Sequence, residues 1–405
     1  MLFQVLDDKS ECIGIYCNGQ LYFDKNDFPD GLNQTWKYSS SLRGKPNIEF
    51  ATLYLEGHPP GEFLPEYLQD DWQDVKEKLQ AFTRSLKIAQ VDMGENCIYD
   101  LTPTRFLKEF GAIRDKMTQH ILTSHPRPVR YDYMLKVSEL LGSIADIPLK
   151  INHRRLNSLG SSPAEKQTLT RLRDARPYII YNQFGTRTGR LTTEKNSFPI
   201  LTMKREHRQI IEPHNDTFIE LDFNGAEART MVGLAGMEQP PIDVHDFHAR
   251  EIFNDEFTRE QAKTAFFAWL YGSRSTPKNH REKLSAFYNR DIILEKYWDG
   301  TTVTTPYKKT IKDVDKHHAL NYIIQSTTAE LTLLQALKID HYLRLKDCRS
   351  RIACVIHDAI VIDFSKEDEV HLPSLQQLMS STTFGNYVIN RSRGATLGSL
   401  KREKI

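Results

Sequence analysis

Apolar and polar residues alternate along the first sixty positions in runs too short for helices. Residues 2–6, 14–16, 20–23 and 48–55 read as strands, cut apart by Asp, Asn, Gly and Pro clusters. From Asp70 the period changes, and Val75, Leu79, Phe82 and Leu86 recur at helical spacing. Thr102 is placed to cap a helix over 106–122, and Pro126 and Pro128 separate that helix from another over 133–144. Ser158, Gly160, Ser161, Ser162 and Pro163 predict a loop flanked by basic residues. Beyond Tyr178 a strand over 217–222 runs into a helix. Long helices are predicted over 258–271 and 316–337, and a β-hairpin over 352–363. Strands and helices in this order make an α+β protein.

Charge changes this picture only when it is read by region. The whole chain of 405 residues carries 54 Lys+Arg against 53 Asp+Glu, without the basic surplus that phosphate binding requires. Residues 1–100, however, hold 9 Lys+Arg against 17 Asp+Glu, whereas residues 151–215 hold 12 against 5. One stretch is acidic and the other basic. Five cysteines (Cys12, Cys17, Cys97, Cys348, Cys354) form no C-x-x-C pair, which suits a reducing cytosol. Nothing at Met1 resembles a signal peptide. No apolar run approaches the roughly 18–20 residues that a membrane-spanning helix requires.

Four constellations carry candidate chemistry. The strand over 217–222 ends on Asp222, where a carboxylate can meet a ligand without deep burial; an Asp at a strand end serves equally well as a helix N-cap. The hairpin over 352–363 has His357 and Asp358 at its polar tip, and turns favour Asp in any case. Two carboxylates on adjacent strand ends can hold a pair of Mg²⁺ ions roughly 3.5–4 Å apart. Arg259, Lys263, Phe267 and Tyr271 fall at i, i+4, i+8 and i+12, one stripe on one helix. Such a stripe is either a solvated face or a grip for a triphosphate with aromatic rings beside the base. Finally, Thr186-Arg187-Thr188-Gly189-Arg190 lies in the basic region and reads as a polar turn or as a phosphate and sugar contact.

The order and spacing of these pieces are more specific than any one of them. T-x-T-G-R-L, D-x-x-x-x-E-x-R, R-x-x-x-K-x-x-x-F-x-x-x-Y-G, N-x-x-x-Q and H-D succeed one another, with Asp243-Val-His245 between the second and third. This set resembles the family A DNA polymerases, the class of bacterial DNA polymerase I and phage replicative enzymes, over about residues 178–405. The resemblance implies a right-hand polymerase fold with an antiparallel palm sheet, helical fingers and a helical thumb. It implies that Asp222, Asp358 and the carbonyl of Phe223 hold two Mg²⁺ ions, and that Glu227 is the steric gate favouring deoxynucleotides. Arg259 and Lys263 would hold the incoming triphosphate, Lys263 would protonate the leaving pyrophosphate, and Phe267 and Tyr271 would bound the nascent base pair. Thr188, Arg190, Arg229, Asn321, Gln325 and His357 would contact primer-template DNA.

The sequence also departs from the pattern. The usual H-D-E reads His357-Asp358-Ala359, so a third acidic group near the metals is missing, and His317 stands where an Arg is common. No proofreading exonuclease pattern precedes residue 178. The expected organisation is an acidic β-rich module (1–70), a helical thumb-like region (71–177), palm (178–236), fingers (237–315) and palm again (316–405). The acidic module either braces the thumb or docks a partner such as a separate exonuclease, helicase or processivity protein. The resulting expectation is a cytosolic, template-directed DNA polymerase of phage or mobile-element type. A single-subunit RNA polymerase and an inactive primer-template binding subunit are the rivals.

Overall fold

The computed structural model describes residues 1–7, 14–93, 95–158, 163–272 and 277–403. The loop expected at Gly160–Ser162 lies outside them. The chain divides into two compact units, Met1–Asp146 and Ile147–Ile405. Among the described residues no helix is long and apolar enough to cross a membrane.

In the first unit, β1 (Gln4–Val5), β2 (Ile15–Cys17) and β3 (Gln20–Tyr22) form an antiparallel sheet, and β4 (Gln34–Thr35) pairs in parallel with β5 (Glu49–Phe50). Helices α1 (Ala51–Tyr54), α2 (Glu66–Ile88), α3 (Ile98–Leu101), α4 (Thr104–Ser124) and α5 (Tyr131–Ala145) come next along the chain. The sheet rests on α4, where a Cβ on Gly111 would lie 2.2 Å from the Tyr16 ring, so only glycine permits the approach. Strand and helix thus share one core, and residue 70 does not separate two compact bodies. The residues expected to make a thumb are divided at Asp146 between the two units.

Two local expectations are corrected. The strand over 48–55 is extended only at Glu49–Phe50, and Ala51–Tyr54 turns into helix. Phe50, Ala51, Leu53, Tyr54 and Leu55 are all buried, and a run buried on every side carries no period by which strand and helix differ. Thr102 does not cap α4. Pro103 occupies the N-cap and holds Thr102 extended, and the Thr102 hydroxyl instead donates to the Ile98 carbonyl at 2.8 Å, closing α3.

The second unit begins with β6 (Lys150–Ile151), α6 (His153–Ser158) and α7 (Pro163–Asp174), then the short pair β7 (Tyr181–Asn182) and β8 (Thr192–Thr193). β9 (Ile211–Glu212) returns to pair with β6. β10 (Thr217–Phe223) then enters the main sheet, and α8 (Ala226–Leu234), α9 (Val244–Glu251), α10 (Arg259–Leu270), α11 (Lys278–Phe287) and α12 (Arg290–Tyr297) pack as a helical group. The hairpin β11 (Val303–Thr304) and β12 (Thr310–Ile311) leads to the 30-residue helix α13 (Lys316–Leu345). β13 (Arg351–Ile356), β14 (Ala359–Phe364), α14 (Leu372–Ser380), the small pair β15 (Ser381–Thr382) and β16 (Gly385–Asn386), then β17 (Ile389–Gly394) and β18 (Lys401–Arg402) complete the unit. The main sheet is antiparallel in the order β13-β14-β10-β17-β18, which puts the strand carrying Asp222 at its centre.

Candidate nucleotidyl-transfer site

The two carboxylates meet because of the sheet's register. Asp222 of β10 pairs with Ala359 of β14, the residue after Asp358. The tip between β13 and β14 has only two residues, and His357 adopts a positive φ of 56° there. Burial raises the Asp222 carboxyl well above the ordinary range, and the neighbouring Asp358 raises it further; burial raises Asp358 as well. Asn390, opposite Asp222 on β17, donates from Nδ2 to Asp222 Oδ2 at 3.3 Å. The alternative role of Asp222 as an N-cap is not realised, since Gly225 occupies the N-cap of α8. Two juxtaposed carboxylates, each disfavoured as an anion by its surroundings, are a donor set that a hard divalent cation would stabilise. Among the described residues no group of three or more His, Cys, Asp and Glu is arranged for a metal.

Gly225 sets where Glu227 falls relative to this pair. Its backbone is left-handed (φ 69°), and a Cβ there would lie 2.5 Å from Val244 Cγ1, so the chain can turn from strand to helix within two residues of Phe223. Glu227 therefore falls in the first turn of α8. It is buried, accepts from Arg190 Nη2, and accepts from the Tyr271 hydroxyl at 2.8 Å. Burial raises its carboxyl, against the pull of Tyr271 and Arg190. Burial and the Glu227 charge in turn push the Tyr271 phenol up to about 12.

Arg259, Lys263 and Phe267 lie on α10 with Tyr271 at its C-cap, and the Tyr271 end of this row meets Glu227. A capping box between Thr258 and Gln261 starts the helix, and the Phe267 and Tyr271 rings stack at 5.8 Å with 19° between their planes. Lys263 is exposed, whereas Arg259 is held: its Nη2 donates to Asp243 Oδ2 at 2.8 Å and its Nη1 to Glu260. Asp243 is a hub that caps α9 through the His245 and Asp246 amides and accepts from Asn224 Nδ2 at 2.7 Å. Burial alone would raise its carboxyl, but Arg259, Asn224 and the His245 amide hold it far below the usual range. His245, behind the stripe, is buried; burial lowers its imidazole to about 4, and its Nδ1 has no partner among the described residues. The resemblance makes Asp243-Val-His245 the opening of a fingers helix and gives no sign of this hub.

The DNA-contact set separates into two groups. Arg190 reaches Glu227, Gln325 pulls the Tyr271 phenol down against its burial, and Asn321 lies one turn before Gln325 on α13 with its Oδ1 buried and unpartnered among the described residues. Thr188 is buried in the same loop as Arg190, His357 is exposed, and a small cleft beside them is lined by Gly189, Leu191, Leu201 and Val355. Arg229 is the correction. It is fully buried, with Nε on the Asn224 carbonyl (2.8 Å), Nη1 on Pro240 (2.9 Å) and Nη2 on Ile242 (2.6 Å) and Asn224 Oδ1 (3.2 Å). Its donors serve the α8–α9 connection and present none to DNA. His317, which stands in place of an Arg, packs against Gly272 just past the end of α10.

The fold matches that of the polymerase (POL) domain of Pol1 from M. smegmatis, solved in complex with DNA primer-template and dNTP. The TM-score is 0.68 at 14% identity, covering 98% of this chain and 96% of that one. This is a right-hand polymerase fold. In sequence the chain is 24% identical over 294 residues to DNA polymerase I of Chloroflexus aurantiacus, covering 61% of this chain and 31% of that protein. It is 23% identical over 413 aligned positions to the DNA polymerase of Bacillus phage SP01, covering 84% and 44%. No protein-family model matches. The resemblance to family A DNA polymerases thus holds in both sequence and fold over their polymerase domain, and the chain spans less than half the length of these curated relatives.

Proposed function

We propose that this chain is a template-directed DNA polymerase that adds deoxynucleotides to a primer 3′-hydroxyl with release of pyrophosphate. The observation that carries the reading is a convergence. Glu227 feels the charge of Asp358, the partner of Asp222, and is bonded at once to Arg190 of the T-G-R loop and to Tyr271 at the end of the α10 stripe. The solved relative's bound primer-template and dNTP support DNA and a nucleotide as the occupants.

Within this reading Asp222, Asp358 and the Phe223 carbonyl hold divalent cations, Mg²⁺ first among them, which supply charge stabilisation for in-line phosphoryl transfer. Lys263 and Arg259 bind the triphosphate. Arg259 must exchange at least part of its Asp243 and Glu260 pairing for phosphate oxygens, and Lys263 would pass a proton to the leaving pyrophosphate. Phe267 stacks against the base, and Tyr271 has to leave that ring for the pair to form. Glu227 lies under the sugar, where a 2′-hydroxyl would meet a carboxylate already engaged by two donors. Arg190, Thr188, Asn321, Gln325 and His357 position primer and template. The reading assigns replication in a phage or mobile-element setting, no editing nuclease to residues 1–405, and a partner-docking role to the acidic residues 1–70.

Asp222→Ala and Asp358→Ala are each expected to abolish primer extension while leaving primer-template binding in a gel shift intact. Extension by either variant at the parental rate would refute the reading. A parental chain that binds primer-template without extending it would make it a binding subunit.

A further inference from the structure

Asp222 occupies the middle of a cross-strand row. On one flank it pairs with Ala359 of β14 and on the other with Asn390 of β17, and directly opposed residues project to the same face of a sheet. Ala359 offers no side-chain oxygen, and it stands where the family A pattern carries its third acid. Asn390 is the polar neighbour on the opposite flank.

The Asn390 amide is oriented by what it touches. The Asn390 amide donates from Nδ2 to Asp222 Oδ2 at 3.3 Å, the orientation that an ionised, cation-holding Asp222 requires, since an ionised carboxylate oxygen only accepts. The carbonyl end is therefore turned away from that oxygen, one amide's width from the carboxylate. Asn390 Oδ1 is buried and has no hydrogen-bond partner among the described residues. Buried acceptors in folded proteins are rarely left so. A hard divalent ion prefers neutral and anionic oxygens together, and retains waters that themselves need acceptors.

We propose that Asn390 supplies the third oxygen of the cation site formed with Asp222 and Asp358, facing the ion directly or through one of its waters. The inference rests on the metal-dependent polymerase reading above. It gives that site a neutral donor on the β17 side in place of the absent acid on the β14 side, and makes Asn390 a positioning residue for Asp222 as well as a donor.

The test is a titration of Mn²⁺ into the full chain, with free ion monitored by electron paramagnetic resonance and the fold of each variant checked by near-ultraviolet circular dichroism. Asn390→Leu is expected to weaken Mn²⁺ binding about tenfold or more, the usual effect of removing an outer-shell partner. Asn390→Asp is expected to keep or tighten it, because an oxygen remains and gains charge. A merely structural hydrogen bond behaves differently, since Asp would meet Asp222 acceptor to acceptor and both variants would lose affinity. Parental affinity in Asn390→Leu, or equal weakening in both variants, overturns the proposal. If Asn390→Leu does not fold, Asn390→Asp alone decides: tighter or equal binding supports the proposal and weaker binding overturns it. Asp222→Ala separates the two levels. If it removes Mn²⁺ binding while Asn390→Leu does not, only the role of Asn390 falls; if it leaves binding unchanged, the cation site and the polymerase reading fall with it.

Discussion

The Arg229 guanidinium is fully buried and makes four hydrogen bonds, three of them to main-chain carbonyls. Arg229→Met keeps the length of the side chain but strands those acceptors, and the expected loss is roughly 2–4 kcal/mol. Urea unfolding measures it, and the primer-template affinity of the folded variant is expected to change little; a stable variant with weakened DNA binding would restore the contact role. The spacing D-x-x-x-x-E-x-R places Glu227 and Arg229 in one motif but does not show that they face apart, which residues two apart on a helix do. The places of Asp222, Asp358, Glu227 and the row on α10 were legible because their spacing coincides with strand ends and helical turns. Asn390 and the Asp243 hub were not, because each acquires its partner only through long-range register or packing: Asn390 lies 168 positions from Asp222.

At the scale of elements, α9, α10 and α11 are joined by one aromatic cluster. His248 stacks on Phe266 at 4.9 Å, and its Nε2 pairs with the Tyr288 hydroxyl at 2.5 Å. Burial, with His245 nearby, lowers the His248 imidazole from 6.5 to about 3. The folded state holds it neutral, so its contribution to stability is complete above pH 6.5 and is lost as the pH falls toward 3. Each such imidazole contributes about 1.4 kcal/mol per pH unit over that range. Thermal melts from pH 7.5 to 4.5 are expected to show a steep acid loss that His248→Gln reduces by about one proton's worth, and an unchanged slope would contradict the assignment. The start of α10 was legible from Thr258 and Gln261, because a capping box is a local signal. The turn at 51–54 was not, because burial on all sides removes the period.

For the whole molecule the near-zero net charge conceals two opposed regions, and the basic one falls in the unit that carries the site. Primer-template binding is therefore expected to weaken steeply with salt, with a slope of log affinity against log salt near −0.9 per neutralised phosphate. Replacing Arg171 and Arg173 of α7 by Gln is expected to reduce that slope by about one to two; an unchanged slope would place the phosphates elsewhere. The division at Asp146 was not legible, since the change of period at Asp70 marks where strands give way to helices within one core. The most direct test of the central claim is primer extension on a 5′-labelled primer-template with Mg²⁺, offering deoxynucleotides and ribonucleotides separately to the parental chain and to Glu227→Ala. The expected result is extension confined to deoxynucleotides in the parental chain, with ribonucleotide use rising about tenfold or more in Glu227→Ala. Ribonucleotide extension by the parental chain, or no extension with either, would contradict a DNA polymerase gated by Glu227.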